Sequence, residues 1–202
     1  MKEVKALIGP IFRRATHGGK SLKPADLTEL RFSLYRLGKI GDDRALKLLL
    51  KELPFVGFLG DFVYLYLRAF VGRPAVVQRV VEVLDGLEPE RDAYLAGLLL
   101  RTLEEAPSLP VNGLDVLRRN ATSHQPSPAV RAVATTALGR HGLPFDETQI
   151  RTSLWREADP RIIRAQLAAL VRLAPRRSRA TLGDYKRAFP AYTGTVDHLL
   201  KK

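Results

Sequence analysis

Five candidate helix starts, near Asp26, Gly57, Arg91, Ser127 and Asp159, follow one another at steps of 31, 34, 36 and 32 residues. A helical pair of that length cannot cover its own apolar stripe. Each pair must therefore stack on its neighbours, and a recurring step of this size predicts a helical repeat array. The apolar spacing agrees. Leu27, Leu30, Leu34 and Leu37 recur at helical intervals, as do Leu46, Leu49, Leu50 and Leu53, and Val76, Val77, Val80, Val81 and Leu84. No alternating strand pattern with hairpin signals competes. Gly and Pro punctuate the junctions, and the start and stop signals predict about eleven or twelve short helices.

A second register supports the repeat. Pro89, Pro128 and Pro160 each stand ten residues before a leucine: Leu99, Leu138 and Leu170. Proline fits a first helical turn because its missing N–H would be unpaired there anyway. Glu88, Ser127 and Asp159 precede these prolines; Ser and Asp are good N-caps and Glu a poorer one. The most hydrophobic stretch, Phe55 to Val71, is long enough to raise the question of a membrane span. Asp61 and Arg68 interrupt it, and charges at bilayer depth are costly. It is expected as a single buried helix, with Phe55, Phe58, Phe62, Tyr64, Tyr66 and Phe70 as a core plug.

The stretch from Ser127-Pro128-Ala129-Val130-Arg131-Ala132 through Ala137-Leu138-Gly139-Arg140-His141-Gly142 resembles the first half of a HEAT-like repeat. That pattern has an Asp-Pro start, an Arg-Ala step and an Ala-Leu-Gly before a glycine-bearing turn. Asp159-Pro160-Arg161-Ile162-Ile163-Arg164-Ala165 through Ala169-Leu170-Val171-Arg172-Leu173 is similar. Leu37-Gly38-Lys39-Ile40-Gly41-Asp42-Asp43-Arg44-Ala45-Leu46 resembles the turn and the start of a second helix. The pairs near Gly57 and Arg91 match only in length and apolar phase. The resemblance implies an all-α, HEAT-like α-solenoid of about five antiparallel helix pairs, a binding scaffold rather than an enzyme. Residues 1–23 are expected as an N-terminal capping helix and turn, 24–190 as the array and 191–202 as a basic C-terminal capping helix. The irregular pairs, including Tyr66-Leu67-Arg68-Ala69-Phe70, also look like the α-helical repeat region of bacterial phage-defence reverse transcriptases. No polymerase motif is present.

Charge speaks about partners. The 202-residue chain carries 33 Lys and Arg against 21 Asp and Glu, a net charge of +12. Residues 151–202 hold 12 basic and 4 acidic side chains, whereas Glu82 to Glu105 holds seven acids against two arginines. Arg13, Arg14, Lys20 and Lys23 form a basic N-terminal cluster. Arginines outnumber lysines 23 to 10, and Arg is favoured where two donors must grip one phosphate. The second helices of the pairs are expected to line a concave face that follows a nucleic-acid backbone, DNA or RNA, through phosphate contacts. Its candidate residues are Arg118, Arg119, Arg172, Arg176, Arg177, Arg179, Lys186 and Arg187, with Trp155 as a base-stacking candidate. The competing readings are a solvated basic face and a protein–protein scaffold using the acidic flank or an apolar groove. Convergence of the arginines on one face discriminates between them.

Chemistry finds little support. The absence of cysteine excludes disulfides, thiolate metal sites and a cysteine nucleophile. His17, His124, His141 and His198 include no pair at i, i+4, so no metal is expected. His141 is expected at a helix C-terminus, where a cation is favoured. His17-Gly18-Gly19-Lys20 lacks the spacing of a phosphate loop. Asp42-Asp43 is expected to cap the following helix. A HEAT-like DNA glycosylase would need several cleft aromatics with a catalytic acid, and Trp155 is the only tryptophan. No cofactor, small-molecule substrate or membrane partner is expected. The N-terminus has no signal-peptide core, so a cytoplasmic location is expected.

Overall fold

The computed structural model describes residues 24–39, 43–88, 90–122 and 127–201. They form eleven α-helices and two 3-10 segments, with no strand among the described residues. The helices are α1 (Pro24–Lys39), α2 (Asp43–Lys51), α3 (Phe62–Arg68), α4 (Pro74–Gly86), α5 (Ala93–Glu105), α6 (Gly113–Thr122), α7 (Pro128–His141), α8 (Pro144–Leu154), α9 (Pro160–Leu173), α10 (Pro175–Ala188) and α11 (Thr193–Leu200). The 3-10 segments are Leu53–Leu59 and Pro190–Tyr192. The expected N-terminal cap over 1–23 lies outside the described residues, with its basic cluster and its His17–Lys20 turn. So do Gly41-Asp42, Pro89 and His124.

Local chemistry explains the helix starts. Ser127 caps α7, its Oγ accepting the Val130 N–H at 3.4 Å, and Asp159 caps α9, its Oδ1 accepting the Arg161 N–H at 2.8 Å. Pro128 and Pro160 follow at the first helical position, as the sequence predicts. Pro89 differs. The helix there begins only at Ala93, after the Asp92 carboxylate accepts the Glu88 N–H at 3.0 Å and closes a turn. Glu88 is therefore no cap.

The hydrophobic stretch Phe55 to Val71 is not one helix. A 3-10 segment ends at Leu59, Gly60 turns the chain at φ +62°, and α3 starts at Phe62. Left-handed backbone favours glycine, so Gly60 separates the two segments. The core-plug expectation holds for Tyr66 and Phe70, which are buried with ring centroids 5.2 Å apart. No described helix is long and apolar enough to cross a membrane.

Contacts link every second helix. The odd-numbered helices touch in succession, α1 to α3, α5, α7, α9 and α11. Among the even-numbered helices α2 touches α4, and α4 touches α6. The odd helices meet the even ones at α1–α2, α4–α5, α6–α7, α8–α9, α9–α10 and α10–α11. One connected apolar core runs through these contacts from Leu30 to Val196. At the α7–α9 crossing the two helices approach closely: a Cβ added to Gly139 would lie 2.7 Å from the Ala169 Cα. The Gly139 of the repeat-like stretch is thus a packing residue: only a hydrogen fits there.

Candidate nucleic-acid interface

Much of the arginine excess is spent between helices. Along the even-numbered helices, the Arg79 Nε of α4 donates to the Leu50 carbonyl of α2 at 3.0 Å. Arg119 of α6 pairs with Asp85 of α4. Arg118 of α6 grips Asp146 of α8, and Arg177 of α10 stands 3.9 Å from Glu147 of α8. The odd-numbered helices are tied similarly. Arg68 of α3 and Arg172 of α9 reach Glu105 and Glu104 at the end of α5, at 2.9 and 3.2 Å. The Tyr64 hydroxyl also donates to Glu105, at 2.6 Å. Asp85, Glu104 and Glu105 of the 82–105 flank therefore serve as counter-charges between helices.

This changes the standing of the residues singled out from sequence. Arg118 turns inward: its Nε and Nη2 donate to Asp146 at 2.7 and 3.0 Å, and its Nη1 to Asp115 at 3.0 Å. Asp146 is 1% exposed. Burial alone would raise its carboxyl. The Arg118 hydrogen bonds, the Leu143 N–H and the Arg118 charge together hold it below the ordinary carboxylate range. Arg119 and Arg172 are exposed but paired. Lys186 pairs with Asp197 and Arg187 with Asp184, both at 2.5 Å. Trp155 follows α8 and packs against Tyr185 at 5.4 Å and Phe189 at 6.1 Å, leaving 44% of its surface exposed. Arg118, Arg119, Arg172, Arg176 and Arg179 do not share one free face: Arg118 is committed inside, and Arg172 sits with the odd-numbered helices, a scatter that counts toward the protein–protein reading.

Arg176 and Arg179 remain. They lie one turn apart on the exposed face of α10, opposite buried Ser178, Leu182 and Tyr185. Neither has an acidic partner among the described residues. Arg177 flanks them, 65% exposed and only loosely held by Glu147. Arg156, which follows Trp155, is exposed and likewise unpaired among the described residues. Sequence reading passed over Arg156 because it stands outside the dense run 172–187.

A cleft of about 460 Å³ opens beside Arg156, lined mostly by polar residues of α6, α7, α8 and α9. An acid sits in it. Glu157 pairs with Arg131 at 2.6 Å, and its other oxygen accepts the Ala158 and Asp159 N–H groups at 3.0 Å. Those three donors fasten it as a loop anchor. His141, expected as a cation at its helix end, is instead half-buried. Burial lowers its pKa, and its Nε2–H donates to the Leu103 carbonyl at 2.9 Å as a neutral strut from α7 to α5. No group of three or more His, Asp or Glu among the described residues is placed to hold a metal. With this geometry in hand, comparison adds no relative: no family model, curated protein or solved structure matches the chain.

Proposed function

We propose that the chain is a non-catalytic, HEAT-like solenoid that binds a nucleic-acid backbone through the α8–α10 end of its even-numbered helices. The solenoid reading draws on the every-second-helix contacts and on the Ser-Pro and Asp-Pro helix starts. One observation carries the binding reading: Arg176 and Arg179 project together from α10 with no described counter-charge, within a segment of net charge +8. A guanidinium with unspent donors matches a phosphate oxygen pair. Arg177 and Arg156 extend the patch. Contacts of this kind give affinity without sequence preference. They fit an accessory module beside a nucleic-acid-processing enzyme, the setting suggested by the likeness to phage-defence reverse transcriptases.

The test is fluorescence anisotropy with labelled single- and double-stranded DNA and RNA across a salt series. The reading expects log affinity to fall with log salt at a slope of roughly −3 to −4, for three or four neutralised phosphates. No binding at about 50 mM salt, where screening is weak, would overturn it.

A second reading has its own support. Phe32, Tyr35, Leu65 and Tyr94 are each more than half exposed, and all belong to the odd-numbered helices α1, α3 and α5. Exposed apolar groups of this kind suit a protein partner, and Phe145 on α8 is exposed to the same extent as Phe32. In that case Leu65→Asp and Tyr94→Asp abolish partner capture and leave nucleic-acid affinity unchanged.

A further inference from the structure

The cleft between α6, α7, α8 and α9 holds polar groups that its own network leaves unmet. Gln166 is 5% exposed; its Nε2 donates to the Ser153 Oγ at 2.9 Å, while its Oε1 is covered and accepts nothing. Rotating the amide moves the deficit to the nitrogen and does not remove it. Arg131 donates to Glu157 through Nη2, while its Nε is covered and donates to nothing. Both residues line the same cleft, and each side chain must turn to present its covered acceptor or donor to a guest. Thr148 and Thr152 form one wall from successive turns of α8, and the Thr152 hydroxyl donates back to the Thr148 carbonyl. Its lone pairs remain open to a donor. At the rim stands Arg156, a cation with no carboxylate partner among the described residues.

The site therefore offers an acceptor, a donor and a peripheral positive charge in a volume within the small-ligand range, about 300–1,000 Å³. An apolar guest would leave the buried groups unpaired. A keto-bearing nucleobase presents a ring N–H beside a carbonyl, one partner for each unmet group, and its phosphate supplies the anion for Arg156. We propose that this cleft is a nucleotide-binding site, with Gln166 and Arg131 facing a keto base and Arg156 facing its phosphate. This goes beyond backbone binding, which requires no contact to a base, and it assigns a small-molecule class where the sequence predicts none.

The experiment is an NMR titration of the full chain, following backbone amides, with UMP, GMP, uridine, ribose 5-phosphate and inorganic phosphate. UMP and GMP are expected to shift amides of residues 148–156 saturably. Ribose 5-phosphate and phosphate should bind about a hundredfold more weakly, the loss of two well-placed hydrogen bonds at about tenfold each. Gln166→Met, which removes one of them, should weaken UMP about tenfold without affecting phosphate. Arg156→Gln should reduce UMP to the affinity of uridine. Thr152→Arg, an exposed substitution that fills the cleft, should abolish the shifts even if Gln166→Met fails to fold. Ribose 5-phosphate binding as tightly as UMP, UMP binding that survives Thr152→Arg, or no shifts at millimolar UMP would each overturn the proposal. A uracil-containing single strand that shifts the same amides would identify the nucleotide as part of a polymer. Salt-dependent oligonucleotide binding without these shifts would leave the backbone reading standing and remove the cleft.

Discussion

Arg118 holds Asp146 through two parallel hydrogen bonds, Nε to Oδ1 at 2.7 Å and Nη2 to Oδ2 at 3.0 Å. The same carboxylate accepts the Leu143 N–H at 2.8 Å, so one buried acid both opens α8 and locks it to α6.

Arg118→Ala leaves that carboxylate buried with a single backbone donor. The expected loss is about 3 kcal/mol, the lower end for removing one partner of a buried ion pair, because the guanidinium is 27% exposed. Urea unfolding measures it, and a loss within the surface-pair range of about 0–1 kcal/mol would mean the pair is solvated. The folded carboxyl titrates below its unfolded value of about 3.9. The stabilisation is therefore complete above about pH 4 and disappears as pH falls through the folded value. Asp146→Asn should flatten that acid limb.

His141 gives a second pH signature with a different window. Its folded pKa is lowered by burial, so the unfolded chain takes up the proton first. Stability should be constant above about pH 6.5, the ordinary histidine value, and should decline as pH falls through the lower folded value. Thermal midpoints of wild type and His141→Gln between pH 5 and 8 test this. A wild-type midpoint that rises on acidification would contradict the neutral strut.

Gly139→Ala should disrupt the α7–α9 crossing. The added Cβ would meet the Ala169 Cα at 2.7 Å and its Cβ at 2.8 Å, closer than packed carbons tolerate. Overpacking of this kind costs about 1–3 kcal/mol, and because the contact involves backbone the upper half of that range is expected. Gly183→Ala on α10 meets nothing within 4 Å and serves as the control.

Replacing Arg176 and Arg179 together by Gln removes two unspent guanidinium groups and no described ion pair. Anisotropy across a salt series should show the log–log slope become shallower by about 2, roughly one for each lost phosphate contact. Arg172→Gln, which breaks the pair with Glu104, should leave the slope unchanged. Equal effects of the two variants would disperse the interface over both sets of helices.

Helix existence was legible because spacing and caps are local. Ser127-Pro128 and Asp159-Pro160 start helices wherever the chain lies, since the cap bonds a backbone N–H two or three residues away. The split at Gly60 was harder to read, because an isolated glycine is compatible with a continuing helix. The later start at Ala93 depended on a carboxylate, Asp92, competing with a proline signal. For the candidate interface, the sequence named Arg176 and Arg179 together with Arg118, Arg119 and Arg172, but could not separate the unpaired guanidinium groups from the paired ones. Arg118 and Arg119 are adjacent in sequence yet reach Asp146 and Asp85, 28 and 34 residues away in opposite directions along the chain.

By itself, the sequence determined that the chain is helical, where the helices after Ser127 and Asp159 begin, that Leu46, Leu49 and the valines of α4 face inward, and that its C-terminal quarter is strongly basic. These properties follow from periodicity, caps and composition, which act within a few residues. Tertiary structure alone decided which charges are spent. Whether a guanidinium is a strut or a free binding group depends on the carboxylate that packing brings within about 3 Å, where a charge-assisted hydrogen bond forms. It also decided that Gln166 of α9 and Arg131 of α7 meet in one cleft with unmet hydrogen bonds, because hydrogen-bond satisfaction is a property of neighbours in space.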